Sequence, residues 1–270
     1  MNEISLSEPI TRAKDLAYVR MQAPDLAIGE TFIEDFGLIV SARTSDAIYA
    51  RGTDSPHHVY ILHQGEPACR SIAFHMQSLD DLNKLHHEAG ATAIEELDEP
   101  GGGHVVRLTD PLGFTVEAIF GMEELEPIDA GKTLPLNIDG QRNRVGRFAD
   151  VKRGASTVKR IGHLVLECKQ VEATYLWYWK HFGILRTDKV LQPSGADGMQ
   201  FARLDKGLEY TDHHTIAFQY CIDGTERLQH VSFEVQNFDD VMIGHDHLLE
   251  AKRYKPVWGI GRHRLGGQIY

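Results

Sequence analysis

The sequence predicts an α+β fold in which one βαβββ unit occurs four times, arranged as two tandem domains. Four short blocks alternate apolar and polar residues as strands do, and they cover residues 15–21, 69–76, 160–168 and 228–235. A stretch with apolar residues at three- and four-residue spacing follows each block, which is typical of a helix. Short strand-like runs follow the helices, for example at 47–52, 57–63, 198–204 and 213–221. A unit that recurs in this way indicates a duplicated architecture.

The ends of the predicted helices carry recognisable signals. The first and third helices run into Gly37 and Gly183, and glycine often ends a helix. The second and fourth begin with SLDDL and NFDDV, so each has two aspartates in its first turn. Negative charge there interacts favourably with the helix dipole, so the shared aspartates have a structural reason. Their common position indicates that these two units are equivalent.

A connector separates the two predicted domains. Residues 126–157 are charged, contain Pro and Gly, and have no clear hydrophobic period. These properties are typical of an interdomain linker. We therefore assign residues 1–125 to an N-terminal domain and residues 158–270 to a C-terminal domain.

The composition disfavours several classes of function. The 270 residues carry a formal net charge of −11, which argues against the basic face that nucleic-acid binding requires. No run approaches the roughly 18 apolar residues of a membrane span. Three widely spaced cysteines are typical of reduced thiols in a cytoplasmic protein. The unusual count is 15 histidines, which makes a metal or acid–base site worth seeking.

Two of these histidines occupy matching positions in the C-terminal domain. His163 lies near the start of the strand at 160–168, and His230 lies at the equivalent place in the paired unit. The N-terminal domain has Tyr18 and Ser71 at these positions, so the scaffold is duplicated but the histidines are not. If the units pair, both imidazoles point into one cleft, where strands hold metal ligands with little reorganisation. A lone strand histidine is usually an ordinary core or surface residue, but the matched pair favours metal ligands.

Other conspicuous residues have ordinary explanations. The pair His57–His58 lies at the beginning of a strand in the N-terminal half, and the pair His86–His87 lies on a polar helix face. Both pairs are predicted to be solvated. The aromatic run at 175–179 has helical spacing, which favours a helix packed on its sheet over a ligand cage.

Five histidines, taken in order, carry a resemblance to a known family. They are His163 in GHLVLE, His213 and His214 in DHHTIAF, His230 in LQHVSFEV and His263 in WGIGRHRLGG. This set resembles the signature of the type I extradiol dioxygenases of the vicinal-oxygen-chelate superfamily. The resemblance covers the whole chain and implies the vicinal-oxygen-chelate fold, with a metal only in the C-terminal domain.

The resemblance implies roles for particular residues. His163 and His230 would hold Fe(II), for which Mn(II) could substitute, together with a glutamate. His214 would be the acid–base residue, and His263 would hydrogen-bond near the substrate oxygen. Three further residues are candidates for substrate binding: His213, Trp258 and Tyr270.

The glutamate ligand is the main departure from the family pattern. The family places it on the last strand after a DPxG turn, and the N-terminal domain keeps this element as TDPLGFTVE, with Glu117 in the ligand position. In the C-terminal domain, GGQIY at 266–270 is predicted to be the strand before that turn. The glutamate and the family's catalytic tyrosine are therefore expected beyond Tyr270. A tail that follows this sequence is favoured, with a truncation or a natural pseudoenzyme as the alternatives.

The resemblance implies extradiol (meta) cleavage of a catechol-type diol by O2 at a mononuclear Fe(II) site, in the degradation of aromatic compounds. The expected partners are the diol, O2 and further copies of the chain, with no nucleic acid and no membrane. One alternative is a metal-poor binding protein of the drug-sequestering type, which His214 and His263 disfavour. Another is a glyoxalase-like lyase or epimerase. Sites of that class generally use more carboxylate ligands on the paired units, and Tyr18 and Ser71 leave no such set in the first half.

Overall fold

The computed structural model describes residues 8–144, 146 and 152–270. Residues 1–7, and residues 145 and 147–151 of the predicted linker, lie outside this description. The first unit consists of β1 (Ala13–Ala23), α1 (Leu26–Phe36), β2 (Ile39–Arg43), β3 (Ala47–Arg51) and β4 (Tyr60–Gln64). The second unit has the same order: β5 (Ala68–Met76), α2 (Leu79–Ala89), β6 (Glu95–Glu96), β7 (His104–Thr109) and β8 (Thr115–Phe120).

The second half repeats this order until its last unit. The third unit consists of β9 (Val158–Cys168), α3 (Val171–Phe182), β10 (Leu185–Leu191), β11 (Asp197–Arg203) and β12 (Ile216–Tyr220). The fourth unit has β13 (Arg227–Val235) and α4 (Phe238–Ala251). The α+β class and the repeated units are thus confirmed.

The prediction of a strand at 266–270 is wrong. This segment makes one isolated bridge, between Arg262 and Ile269. Gly266 and Gly267 have φ angles of 73° and 70°, and these left-handed angles turn the chain instead of extending it. Within the described residues, the fourth unit therefore contributes only β13 to a sheet.

Each domain is built around one sheet, and the two sheets share a topology. The first has the order β2-β3-β4-β1-β5-β8-β7-β6, and the second has the order β10-β11-β12-β9-β13. β1 pairs parallel with β4 and antiparallel with β5, and β9 pairs in the same two ways with β12 and β13. Among the described residues, β13 is an edge strand, whereas its equivalent β5 pairs with β8.

The strand registers make the two domains comparable residue by residue. Corresponding pairing partners are Val19 and Leu164, Tyr60 and Ile216, and Ile72 and Val231. By this register Tyr18 is equivalent to His163, and Ser71 is equivalent to His230. The equivalence predicted from sequence therefore holds in the pairing of the strands.

The helices begin and end where their sequences predict. Gly37 and Gly183 close α1 and α3 in the left-handed conformation. Ser78 forms a capping box with Asp81 at the start of α2, and the side chain of Asn237 caps α4. These caps satisfy backbone groups at the helix ends that would otherwise have no hydrogen-bond partner.

The domains pack together through the face of α3 that carries its aromatic residues. Tyr178 and Phe182 are fully buried, and the Phe182 ring stacks on Phe74 of β5 at a centroid distance of 4.8 Å. The Tyr178 hydroxyl donates a hydrogen bond to Asp110 in the first domain (2.8 Å). The prediction that this aromatic run packs as part of a helix is confirmed. No helix in the described residues has the length and apolar character needed to cross a bilayer.

Candidate metal centre

His163 and His230 approach each other across two neighbouring strands. β9 and β13 pair antiparallel, with His163 opposite Ser232 and His230 opposite Val165. The Nε2 atoms of the two imidazoles lie 3.2 Å apart. Two nitrogen ligands at about 2.1 Å from one metal are separated by roughly 3.0–3.4 Å in cis-octahedral or tetrahedral geometry. The observed separation therefore fits two ligands of a single ion.

A hydrogen bond to the neighbouring residue also fixes the orientation of the His230 ring. Its Nδ1 contacts the side-chain oxygen Oε1 of the preceding residue, Gln229. An amide oxygen only accepts hydrogen bonds, so Nδ1 carries the proton and Nε2 keeps a free lone pair. Metal-bound histidines in proteins are generally held in this way through their second nitrogen. Sequence reasoning missed Gln229, although its position beside His230 could have suggested it.

Burial keeps these imidazoles neutral. Desolvation lowers the pKa of His163 to about 2, with further contributions from His214, His230 and His263. Desolvation is also the main cause of the lowered pKa of His214, about 4, and of the lowered pKa of His230. Because only a neutral imidazole can bind a metal, the site is ready for an ion at neutral pH without losing a proton.

The described residues supply two donors and no third. No group of three His, Cys, Asp or Glu side chains converges on a metal-sized space within them. In the first domain the carboxylate Glu117 lies on β8, which pairs with β5. The equivalent place in the second domain lies along the edge of β13. His163 and His230 thus have the separation of two metal ligands, and the described residues bring no third donor to them.

His214 lies against the predicted ligands, and the side chain of its neighbour His213 is hydrogen-bonded to it. The rings of His214 and His163 have centroids 4.2 Å apart. The Nδ1 atoms of His213 and His214 lie 3.1 Å apart, and Nε2 of His213 lies 2.7 Å from a carboxylate oxygen of Asp188. Sequence reasoning missed Asp188, which lies on β10 just after a β-bulge.

A cavity of about 720 Å³ opens beside the imidazoles. Its lining includes six of the seven predicted site residues: His163, His214, His230, Trp258, His263 and Tyr270. The Tyr270 ring lies 4.6 Å from the ring of His263 and 6.0 Å from that of Trp258. Phe36 reaches the same cavity from the first domain. His213 does not line it and instead contacts His214 and Asp188.

An ion-pair network fills the equivalent place in the first domain. The Tyr18 hydroxyl donates to Glu117 (2.8 Å), and so does Nε of Arg20 (3.0 Å). Burial would raise the pKa of Glu117, but Arg20, Tyr18 and Arg107 together lower it. Arg20 is equivalent to Val165 by strand register. The first domain therefore holds a guanidinium beside the carboxylate where the second domain has its pair of imidazoles.

The prediction that His57 and His58 are solvated is wrong. They are 7% and 1% exposed, because the His58 ring packs against Tyr18 and Tyr49 at centroid distances of 4.9 and 5.2 Å. By strand register, His57 and His58 are equivalent to His213 and His214. Their Nδ1 atoms lie 3.0 Å apart. The histidine pair is thus duplicated, unlike the predicted metal ligands His163 and His230.

Comparison with known proteins relates the chain to catechol dioxygenases at low identity. No family profile matches it. Metapyrocatechase 2 from Cupriavidus necator is 25% identical over 270 residues, which cover 98% of this chain and 78% of that protein. A metapyrocatechase from Pseudomonas sp. (strain CF600) is 24% identical over 194 residues, or 67% of this chain and 55% of that protein.

Solved structures share the fold. A Mn(II)-bound glyoxalase from Novosphingobium aromaticivorans superposes with a TM-score of 0.74 at 22% identity, covering 96% of this chain and 81% of that one. An extradiol ring-cleaving dioxygenase from B. fuscum superposes with a TM-score of 0.73 at 21% identity, covering 97% and 68%. The predicted vicinal-oxygen-chelate fold is confirmed, and the metapyrocatechases, which are catechol 2,3-dioxygenases, are distant relatives of this chain.

Proposed function

We propose that this chain is an extradiol dioxygenase that cleaves a catechol-type diol with O2 at a mononuclear Fe(II) site. The observation that carries the proposal is the 3.2 Å approach of the His163 and His230 Nε2 atoms beside His214. Distant relationship to metapyrocatechases supports the same reaction class. Cytoplasmic location, a homo-oligomeric state and a role in aromatic degradation stay predictions.

His163 and His230 would hold the metal, with Mn(II) as an acceptable substitute because imidazole and oxygen ligands suit both ions. An ion held by these residues would supply Lewis-acid chemistry towards the diol and electron transfer towards O2. The two strands fix the imidazoles before the ion arrives. Little reorganisation is then needed on binding.

The remaining side chains act on the diol and its surroundings. His214, neutral at pH 7 because of its lowered pKa, would accept a proton from a diol hydroxyl and later return it. His263 would donate a hydrogen bond to a substrate oxygen. Trp258 and Tyr270 would cover the ring at the mouth of the cavity, where their own rings meet edge to face.

An apolar wall supports exclusion of water from the site. Val165, Phe201 and Ala217 form a small buried cluster, and Met199 and Leu265 pack against it. The Phe201 ring lies 5.1 Å from the ring of His214. A dry wall beside the acid–base residue strengthens its polar interactions and protects reactive species from hydrolysis.

We further propose that a carboxylate at the edge of β13 completes the ligand set, as Glu117 on β8 lies beside β5. A small carboxylate from solution should then improve Fe(II) binding by residues 1–270. Chelator competition with and without added formate measures this directly. An Fe(II) affinity that formate leaves unchanged would count against a carboxylate ligand at this edge.

The function is tested by anaerobic reconstitution with Fe(II) and formate, followed by catechol or 3-methylcatechol and O2. Yellow ring-cleaved product should form with the parent chain and disappear in His163→Ala and His230→Ala. Tyr18→Phe and Ser71→Ala are matched controls at the equivalent positions of the first domain, and they should keep activity. Ser71→Ala is a mild change because the buried hydroxyl of Ser71 has no hydrogen-bond partner among the described residues.

One observation favours a second candidate, a binding protein on the same fold. Only two donors converge within the described residues. Such a protein would bind catechol without Fe(II) and would form no product with it. The same reconstitution therefore separates the two candidates, since ring cleavage that requires iron contradicts the binding-only alternative.

A further inference from the structure

Asp188, His213 and His214 form a continuous hydrogen-bonded row that ends at the metal centre. The distances along it are 2.7 Å from Asp188 to Nε2 of His213 and 3.1 Å between the Nδ1 atoms of the two histidines. The two rings are almost perpendicular, at 86°. The far side of the His214 ring lies against His163. The side chain of His213 is only 14% exposed.

The carboxylate determines the direction of every hydrogen bond in this row. An ionised carboxylate only accepts, so Nε2 of His213 must carry a proton. Neutral His213 then has a bare Nδ1, which accepts the hydrogen bond from Nδ1–H of His214. Neutral His214 is left with a bare Nε2. Without the carboxylate the row could run in either direction, because two neutral imidazoles can share the central proton both ways.

The first domain supplies an internal comparison. Its pair His57–His58 has almost the same geometry, with the Nδ1 atoms 3.0 Å apart and the rings at 83°. By strand register, however, the position of Asp188 is occupied by Ala42. Nε2 of His58 is buried without a hydrogen-bond partner among the described residues. The histidine pair thus belongs to the scaffold, whereas the carboxylate occurs only in the domain with the two predicted metal ligands.

We propose that Asp188 is a positioning residue that acts through His213 to keep Nε2 of His214 unprotonated and ready to accept a proton from the substrate. The proposal deepens the proposed function and rests on it for the role of His214. It also changes the role of His213, which sequence analysis predicts to be a substrate-binding residue. His213 instead transmits the orientation set by Asp188.

The hydrogen-bond direction can be measured without turnover. Long-range ¹H–¹⁵N correlation spectra of the chain with ¹⁵N-labelled histidine distinguish the two neutral tautomers, and His214→Gln identifies the signals of that ring. In the parent chain His214 should carry its proton on Nδ1 and His213 on Nε2. In Asp188→Ala, and in Asp188→Leu, whose side chain has a similar size but no hydrogen-bonding group, His214 should become a mixture of tautomers. Asp223→Asn, at an exposed turn, should change neither ring.

Two results would overturn the proposal. One is a parent chain in which His214 carries its proton on Nε2. The other is a His214 tautomer that both substitutions at Asp188 leave unchanged. If Asp188→Ala does not fold, Asp188→Leu still decides the outcome.

Kinetics provide a second readout in the iron-loaded chain. Both Asp188 variants should lower kcat by roughly 10–100-fold while KM stays nearly unchanged, because the diol still binds but proton transfer is impaired. A fall in kcat/KM that comes from KM alone would contradict the positioning role. A parent chain without ring cleavage would refute the proposed function, and the NMR measurement would still test the row itself.

Discussion

Replacing Arg20 with methionine should strongly destabilise the first domain. The side chains of Arg20 and Glu117 are only 8% and 4% exposed. Arg20 also donates to Glu99 (3.0 Å). Removing one partner of a buried ion pair costs roughly 3–5 kcal/mol, and the lower end applies here because Arg107 still contacts Glu117. At about 2–4 °C for each kcal/mol, the loss lowers Tm by about 6–12 °C.

The assay is equilibrium urea unfolding, followed by circular dichroism, with two companion variants. Arg43→Met removes an exposed ion pair with Glu30 and should leave the free energy of unfolding nearly unchanged. The double variant Arg20→Met/Glu117→Gln should be more stable than Arg20→Met alone, because the buried charge at position 117 that lost Arg20 is then removed. A loss below about 1 kcal/mol in Arg20→Met, or a double variant no more stable than that single one, would refute the reasoning.

Three further predictions concern acid stability, a second metal site and metal binding. Burial, and after it the neighbouring His57, holds the pKa of His58 well below its ordinary value of 6.5. The contribution of neutral His58 to the free energy of unfolding is therefore complete above pH 6.5 and decreases as the pH drops below that value. From pH 7.5 to 5.5 this group alone should lower the free energy of unfolding by about 1 kcal/mol, and His58→Gln should remove that part of the pH dependence in urea unfolding. The triple variant Tyr18→His/Arg20→Val/Ser71→His should bind one more Co(II) per chain than its parent, measured by absorbance titration; an unchanged stoichiometry would contradict the equivalence of the two sites. Fe(II) at 100 times its Kd should raise the free energy of unfolding by about 2.7 kcal/mol, and a chelator should reverse the gain.

The sequence predicts the parts of the fold that depend on short-range periodicity. The matched positions of His163 and His230 follow from the alternation of side chains along two repeated strands. Gly37 and Gly183 end their helices as predicted, because glycine has no Cβ and adopts the left-handed conformation without a steric clash. These features need no knowledge of distant contacts.

The parts that sequence reasoning missed depend on irregular pairing or distant partners. Asp188 follows a β-bulge after Arg186, and a bulge shifts the alternation that would have indicated its direction. Arg20 and Glu117 are 97 residues apart and meet only because β8 enters the sheet beside β5. The burial of His58 likewise depends on neighbours that its own segment does not reveal.

The most direct test of the central claim is the stoichiometry of Fe(II) binding, measured anaerobically by isothermal titration calorimetry on the parent chain, His230→Ala and Ser71→Ala. If His163 and His230 hold the metal, the parent chain and Ser71→Ala should each bind one ion, whereas His230→Ala should lose that binding. An ion retained by His230→Ala with unchanged affinity, or lost equally in both variants, would contradict a metal centre built on these two imidazoles.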